Sequence, residues 1–457
     1  MPLIVGALAR AAFAQDGGSG TTPTGPPRLP LTTGEIGYRS PALQGLLLPS
    51  DPSVSERFND KLPYWLRFSG ELRERFEGYS GGGYKPNSSD DYVLYRLRLG
   101  MLIAPKPWLK FFGQMQDARV WGRSPAAPPY QNTWDIRQAY VELGDEGTGF
   151  ALRVGRQELN FGNGRLIGQS WWTNVSRSFD GVRGTFGRGK LRADVFATSV
   201  VIVRDGVIDH HDWGNNLYGV YGSIRDVVPN SLIEPYTLWR LQQNVSTALV
   251  KPGHLDEYTY GFRWVGRLPE NMDYRTEMAV QRGSLGLDEI KAWTGHWALG
   301  YTFADAPSTP RVFAEYNYAS GGAGDGVTRT FDPIYPTTHD KLGLADQFGW
   351  RNIQNVQVGA EFRFGKKWSL ATGFEDLWLA NAKDALYGTR GSIVAISQNG
   401  TAGTHVAEEL DVQAIFQPTR QTQIGLGYGH VFTAEFLDRT TPGNDYNFPY
   451  ALFEYVF

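Results

Sequence analysis

Val93-Leu94-Tyr95-Arg96-Leu97-Arg98-Leu99-Gly100-Met101-Leu102-Ile103 decides the fold. Val93, Tyr95, Leu97, Leu99, Met101 and Ile103 share one phase of a two-residue period, and Arg96 and Arg98 lie on the other. Successive side chains of a strand point to opposite faces, so this stretch predicts a strand with one apolar and one charged face. The pattern recurs on both sides. Leu66, Phe68, Gly70 and Leu72 oppose Arg67, Glu71, Arg73 and Arg75. Tyr258, Tyr260, Phe262 and Trp264 oppose Glu257, Thr259 and Arg263. Tyr274, Thr276, Met278 and Val280 oppose Arg275, Glu277 and Gln281. Val312 and Tyr316 oppose Arg311 and Glu315, and Val356, Val358 and Phe362 oppose Gln357, Glu361 and Arg363. The segments total about eighteen, within the even counts of bacterial outer-membrane barrels. The expected fold is all-β: a transmembrane antiparallel β-barrel whose connections alternate between short turns and long polar loops.

Composition narrows what such a chain does. Its 457 residues include no cysteine, which excludes disulfides, thiolate metal sites and cysteine nucleophiles. A formal charge of −3 leaves no global basic face for nucleic acid. The 25 Phe, 23 Tyr and 14 Trp are expected mainly on the lipid face and in interfacial girdles, with Tyr64-Trp65, Trp121, Trp171-Trp172 and Trp378 as girdle candidates. The 44 basic residues divide into 33 Arg and 11 Lys, a bias toward planar, fixed donors.

Residues 1–14 end in Ala12-Phe13-Ala14, the shape of a signal-peptide remnant before its cleavage point. Residues 15–62 form a Pro/Gly-rich extension of loosely packed character, and the barrel is assigned to 63–457. A soluble β-sandwich or propeller also alternates, but not with two or three charges on the inner face of so many strands. The ending PYALFEYVF, with Ala451, Phe453, Tyr455 and Phe457 in phase, looks like the terminal strand by which outer-membrane proteins are recognised for insertion.

Enzyme constellations are missing from the sequence: no nucleophile elbow, no His-Glu-x-x-His, no phosphate loop. No cofactor or metal is expected. The dense acid–His group Asp205, Asp209, His210, His211 and Asp212 reads as a solvated loop rather than a divalent-ion site. Gly425, Gly427 and Gly429 alternate within one strand, as a crowded wall requires.

The stretch GRQELNFGNGRLIG (155–168), Trp171-Trp172-Thr173-Asn174 and Arg177-Ser178-Phe179-Asp180-Gly181-Val182-Arg183 form one block. Phe331-Asp332-Pro333-Ile334-Tyr335-Pro336-Thr337-Thr338-His339-Asp340, closing with Gly349-Trp350-Arg351-Asn352, forms another. Together they resemble the alginate-export outer-membrane porin family in its broad sense, which extends beyond alginate producers. Asn163 stands where that family usually has Asp. The resemblance implies an eighteen-stranded monomeric barrel in the bacterial outer membrane with an electropositive, Arg-rich pore. In founding members that pore carries an anionic polysaccharide outward.

The residues support anion handling in their own right. Arg67, Arg73, Arg75, Arg96, Arg98, Arg153, Arg183, Arg263, Arg275, Arg311 and Arg363 lie on the inner phase, with Glu71 and Glu361 opposing them. Arg165 is added from the 155–168 block, where Arg156, Glu158, Arg165, Asp180 and Arg183 are expected to form one network at the pore mouth, after a bulge or exit at Gly155. The stretch 321–351 is expected to be an ordered loop folded over or into the lumen. Two transport functions are compatible with this reading: passage of an alginate-like polysaccharide, or diffusion of small, possibly anionic, solutes. The expected partners are outer-membrane lipid, the anionic cargo and periplasmic export machinery. An outer-membrane enzyme would need a nucleophile beside His296 or His430, and neither has an adjacent Ser partner.

Overall fold

The computed structural model describes residues 54–457. The signal-peptide remnant and most of the 15–62 extension lie outside the described residues. The end of that extension is a short helix, α1 (Val54–Asn59), docked on the first strand. Its Phe58 ring packs 5.7 Å from Phe68, and Asn59 both donates to and accepts from the Phe68 backbone at 2.7 and 2.8 Å.

Eighteen antiparallel strands make the wall. They are β1 (Leu66–Ser80), β2 (Ser89–Lys106), β3 (Leu109–Trp121), β4 (Asn132–Asp145), β5 (Phe150–Gln157) and β6 (Phe179–Arg188). Then follow β7 (Leu191–Ile202), β8 (His210–Arg225), β9 (Ser231–Val245), β10 (Gly253–Arg267), β11 (Met272–Leu285) and β12 (Asp288–Thr302). The last six are β13 (Arg311–Ala319), β14 (Ile353–Phe364), β15 (Trp368–Leu379), β16 (His405–Phe416), β17 (Thr422–Thr433) and β18 (Tyr446–Val456). Each pairs with its neighbours, and β1 pairs with both β2 and β18, from Glu71↔Val456 to Ser80↔Asn447. Closure leaves no row of unpaired backbone groups facing lipid, the condition for a sheet to cross a membrane. The chain terminus takes part: Gly70 and Phe457 exchange backbone hydrogen bonds of 2.6 and 2.8 Å. The Phe457 ring occupies the space where a side chain at residue 70 would stand.

One barrel end has tight connections, such as 107–108 and 189–190; the other has the long segments 158–178, 320–352 and 380–404. Short turns face the periplasm in such barrels, so the long loops are extracellular. The outer face is apolar and exposed, as at Val356, Val358, Leu410, Val412 and Leu426. Trp65, Trp108 and Trp368 ring the short-turn end, and Trp121, Trp134 and Trp213 the long-loop end. These are the two girdles of a membrane-spanning barrel.

The aromatic residues divide differently from the sequence expectation. Trp172 is buried in the lumen rather than at an interface, stacked 3.6 Å from His339 at an interplanar angle of 3°. Tyr84, Phe161, Phe179, Tyr221, Tyr236, Phe331, Trp350 and Phe436 are also buried in the interior cluster. The physical reason is that long loops turn inward, and their backbone needs apolar filling between it and the wall. Glycines on the inner face make the room: a Cβ at Gly427 would lie 2.2 Å from the Tyr450 ring, and one at Gly429 3.1 Å from the Ala345 nitrogen.

Candidate functional site

Two extracellular loops cross the lumen and bind each other there. Loop 158–178 follows β5, and loop 320–352 follows β13. Ile167 and Tyr335 form a parallel β-bridge. Around it Tyr335 N donates to the Leu166 carbonyl (2.9 Å), Gly168 N to that of Tyr335 (2.8 Å) and Thr337 N to that of Gly164 (2.8 Å). Residues 166–168 and 335–337 therefore act as one ribbon across the pore. Gly168 is required there, because a Cβ would lie 2.2 Å from Thr337 Oγ1.

The inner wall of β1–β3 holds the first loop by charge-assisted hydrogen bonds to its carbonyls. Arg73 donates to the Trp171 carbonyl at 2.8 Å and to those of Trp172 and Thr173 at 3.2 Å each. Arg75 donates to the Trp172 carbonyl at 2.5 Å and sits 3.8 Å over its ring. Arg96 bonds Glu71 at 2.6 Å and the Thr173 carbonyl at 3.1 Å, and Arg98 bonds Ser176 Oγ at 2.8 Å. Asn174 donates to the backbone of Tyr95, Arg119 and Tyr130. Arg165 crosses to the opposite wall and pairs with Glu315 at 2.5 Å.

The second loop is anchored at Asp332. It accepts from Arg351 at 2.7 Å and from Arg240 of β9. Its backbone bonds Gln281 of β11 in both directions, at 2.7 and 2.8 Å. Burial raises the Asp332 carboxyl pKa, but the two guanidiniums outweigh it and hold the group below the ordinary carboxylate range. The Tyr335 ring lies between Arg177 and Arg240, at 5.3 and 4.8 Å from their guanidinium carbons. Among the described residues, the Arg177 guanidinium donates to carbonyls: those of Gly168, Tyr335 and Pro336, at 2.8 to 3.2 Å. Burial and the neighbouring Arg240 bring it down to about 10, so it stays charged at neutral pH. Farther along the loop, Leu344 N donates to Asp411 and Ala345 N to Glu409, at 3.0 and 2.8 Å.

A second set of inner-face arginines lies nearer the short-turn end. Arg153 pairs with Glu142 at 2.5 Å, which also takes Lys110 at 2.9 Å. Asp194 is shared by Arg183 (2.7 Å) and Arg192 (2.8 Å). Arg311 pairs with Asp273 at 2.8 Å and Glu361 at 3.6 Å, and Arg263 pairs with Glu234. Arg67 donates to the Pro63 and Leu66 carbonyls, and Arg363 to Thr309 Oγ1. Arg275 makes no ion pair with any described residue, and its Nε has no partner.

The inner-phase residues singled out from the sequence differ in burial. Arg73, Arg75, Arg96, Arg98 and Glu71 are at most 2% exposed and hold a loop in place. Arg153, Arg183, Arg275 and Arg311 are only part-buried. The single pore-mouth network expected from 155–183 is instead three separate pairs: Arg156 with Asp180 at 2.8 Å, Arg165 with Glu315, and Arg183 with Asp194. Arg137, which the sequence did not flag, takes Glu158 at 2.8 Å. No bulge occurs at Gly155, where β4–β5 register is unbroken and the strand continues to Gln157. Asp205 is tied to Gln131 and Thr133, and Asp209 to Asn132, at the start of β4, not to a common centre. Burial and Asp135 push Asp209 up to about 7.

The family model for alginate export matches residues 64–450. The chain belongs to the alginate export family. Solved Pseudomonas aeruginosa structures share its fold at low identity. OccD3 (OpdP) aligns at a TM-score of 0.57 and 13% identity, covering 93% of this chain and 97% of its own. OccK8 (OprE) gives 0.56 and 10%, covering 86% and 98%. OpdO gives 0.57 and 11%, covering 87% and 99%. Among curated proteins nothing matches. The family and the closed barrel place this member of the alginate export family in the bacterial outer membrane as a channel. Arg240, Arg137 and the backbone pairing of residues 166–168 with 335–337 are parts of its lumen that sequence periodicity did not mark.

Proposed function

We propose that this outer-membrane channel passes anionic solutes, with uronate-bearing polysaccharide of the alginate type as the cargo class. The observation that carries the reading is the array of part-buried guanidiniums on the inner face: Arg183 and Arg192 flank Asp194, Arg311 lies on the wall in the same part-buried set, and Arg275 makes no ion pair with a described residue. Guanidinium forks bind carboxylates bidentately, and rings of such groups favour anions. Because wall carboxylates already compete for these forks, a passing carboxylate makes weak contacts and exchanges them from one to the next, which conduction requires. The buried arginines serve this indirectly, by fixing the loop ribbon that narrows the lumen.

The same ribbon supports a second reading, diffusion of small anions, because main-chain hydrogen bonds tie it across the lumen. Planar-bilayer recording with added oligo-uronates separates the two. A polysaccharide path gives resolved, concentration-dependent blocking events by oligomers of several residues. A small-anion path gives block by monomeric uronate alone, and absence of both removes the proposal.

A further inference from the structure

We infer a divalent-cation site on the outer wall of the barrel, formed by Asp376, His405 and Glu408. Asp376 on β15 and Glu408 on β16 are direct cross-strand partners on the lipid-facing phase. Like charges directly opposite in a sheet destabilise it, and a charged pair on a barrel's outer face adds a desolvation cost. The next positions in register on either side are Val356 and Phe432, both exposed and apolar. Among the described residues, the one ion pair made by these two carboxylates is with the His405 imidazole.

That imidazole arrives by a local irregularity. Pairing runs Leu377↔Ala407 and then Trp378↔His405, so Val406 is an extra residue in β16. A bulge re-aims the side chains beyond it. Here it sets His405 on the same face as the carboxylates, with Nε2 2.8 Å from Asp376 Oδ1 and the ring stacked 5.5 Å from Trp378. One donor atom from each of the three residues lies within 4.8 Å of the other two. Two ligands of one zinc ion can be at most about 4.2 Å apart, so the longest separation closes by a small rotamer change. His405 alone cannot neutralise the site: protonated, it balances Asp376 and leaves Glu408 without an ion pair among the described residues. A divalent ion satisfies all three groups at once. Imidazole with two carboxylates suits zinc and other first-row ions better than calcium or magnesium.

Zn²⁺ is the probe. Tag-free full-length protein in detergent micelles is titrated by calorimetry, and Co²⁺ is added separately to read ligand-field absorption bands. The expected result is one site with an affinity in the micromolar range or tighter, weakening as pH falls because the proton competes for His405. His405→Ala and Glu408→Gln are each expected to lower affinity at least ~10-fold and to abolish the Co²⁺ bands, with circular dichroism unchanged. His430→Ala, on the same outer face but outside the triad, leaves binding intact. Absence of Zn²⁺ binding to the wild type at ~1 mM, or equal binding by the two triad variants, overturns the assignment.

Discussion

Asp332→Asn tests whether the loop ribbon is held by charge. The substitution keeps side-chain size and removes the anion that Arg240 and Arg351 share, the latter at 2.7 Å. Both arginines then remain mostly buried without a directly bonded carboxylate, and Glu257, opposite Arg240 on β10, is the acidic neighbour left to them. Removing one partner of a buried pair costs about 3–5 kcal/mol. The lower end applies here, because the three side chains keep 11–14% exposure and the Gln281 backbone bonds persist. A loss of ~3 kcal/mol raises the population of released loop on the order of 10²-fold. Single-channel recording should show longer high-conductance dwells and stronger anion preference, since two guanidiniums are freed. Dwell times and conductance equal to wild type would refute the anchoring argument. The pH response has a definite sign. The folded-state pKa of Asp332 is depressed, so its contribution is complete above the unfolded value of about 3.9. It is lost only as pH falls through the lower folded value. Wild-type gating by this anchor is therefore constant from neutral pH down to about 4 and loosens below that.

Four further outcomes are expected. Glu71→Gln leaves Arg96 and Arg98 buried without their shared carboxylate and should cost about 3 kcal/mol or more, read as a lower unfolding midpoint in urea. Gly427→Ala places a methyl group 2.2 Å from the Tyr450 ring and should cost about 1–3 kcal/mol, while loosening Trp172, which packs 4.9 Å from Tyr450. Val358→Arg, on the exposed outer face of β14, should cost about 2–4 kcal/mol in lipid vesicles if that face meets the bilayer. Arg275→Gln should reduce anion preference in the reversal potential and lower stability by no more than about 1 kcal/mol, because it removes a positive neighbour of Asp273, Glu315 and Glu361 without breaking a direct ion pair.

The barrel was legible because lipid and water impose a period of two on every strand, and Val93–Ile103 shows it without interruption. β9 hid its chemistry for the opposite reason. Its inner phase is Glu234, Tyr236, Leu238 and Arg240, and its outer phase includes Pro235 and Thr237, so the two faces differ little in polarity. Arg240 therefore carried no signal, although it anchors Asp332. The loop ribbon was out of reach of periodicity as well. Ile167 and Tyr335 are brought together by tertiary packing across the lumen, which no local spacing encodes. Trp172 illustrates the cost of reading aromatics by position alone. A tryptophan beside a polar stretch suits a membrane girdle, but in a loop that turns inward it meets Arg75 and His339 instead.

Ion selectivity tests the central claim most directly. Purified channel in a planar bilayer, under a tenfold KCl gradient, gives a reversal potential whose sign reports the favoured ion. The guanidiniums of Arg183, Arg192, Arg275 and Arg311 on the part-buried inner face predict chloride over potassium, with the preference weakening as ionic strength screens the wall. A potassium-selective reversal potential would contradict the account.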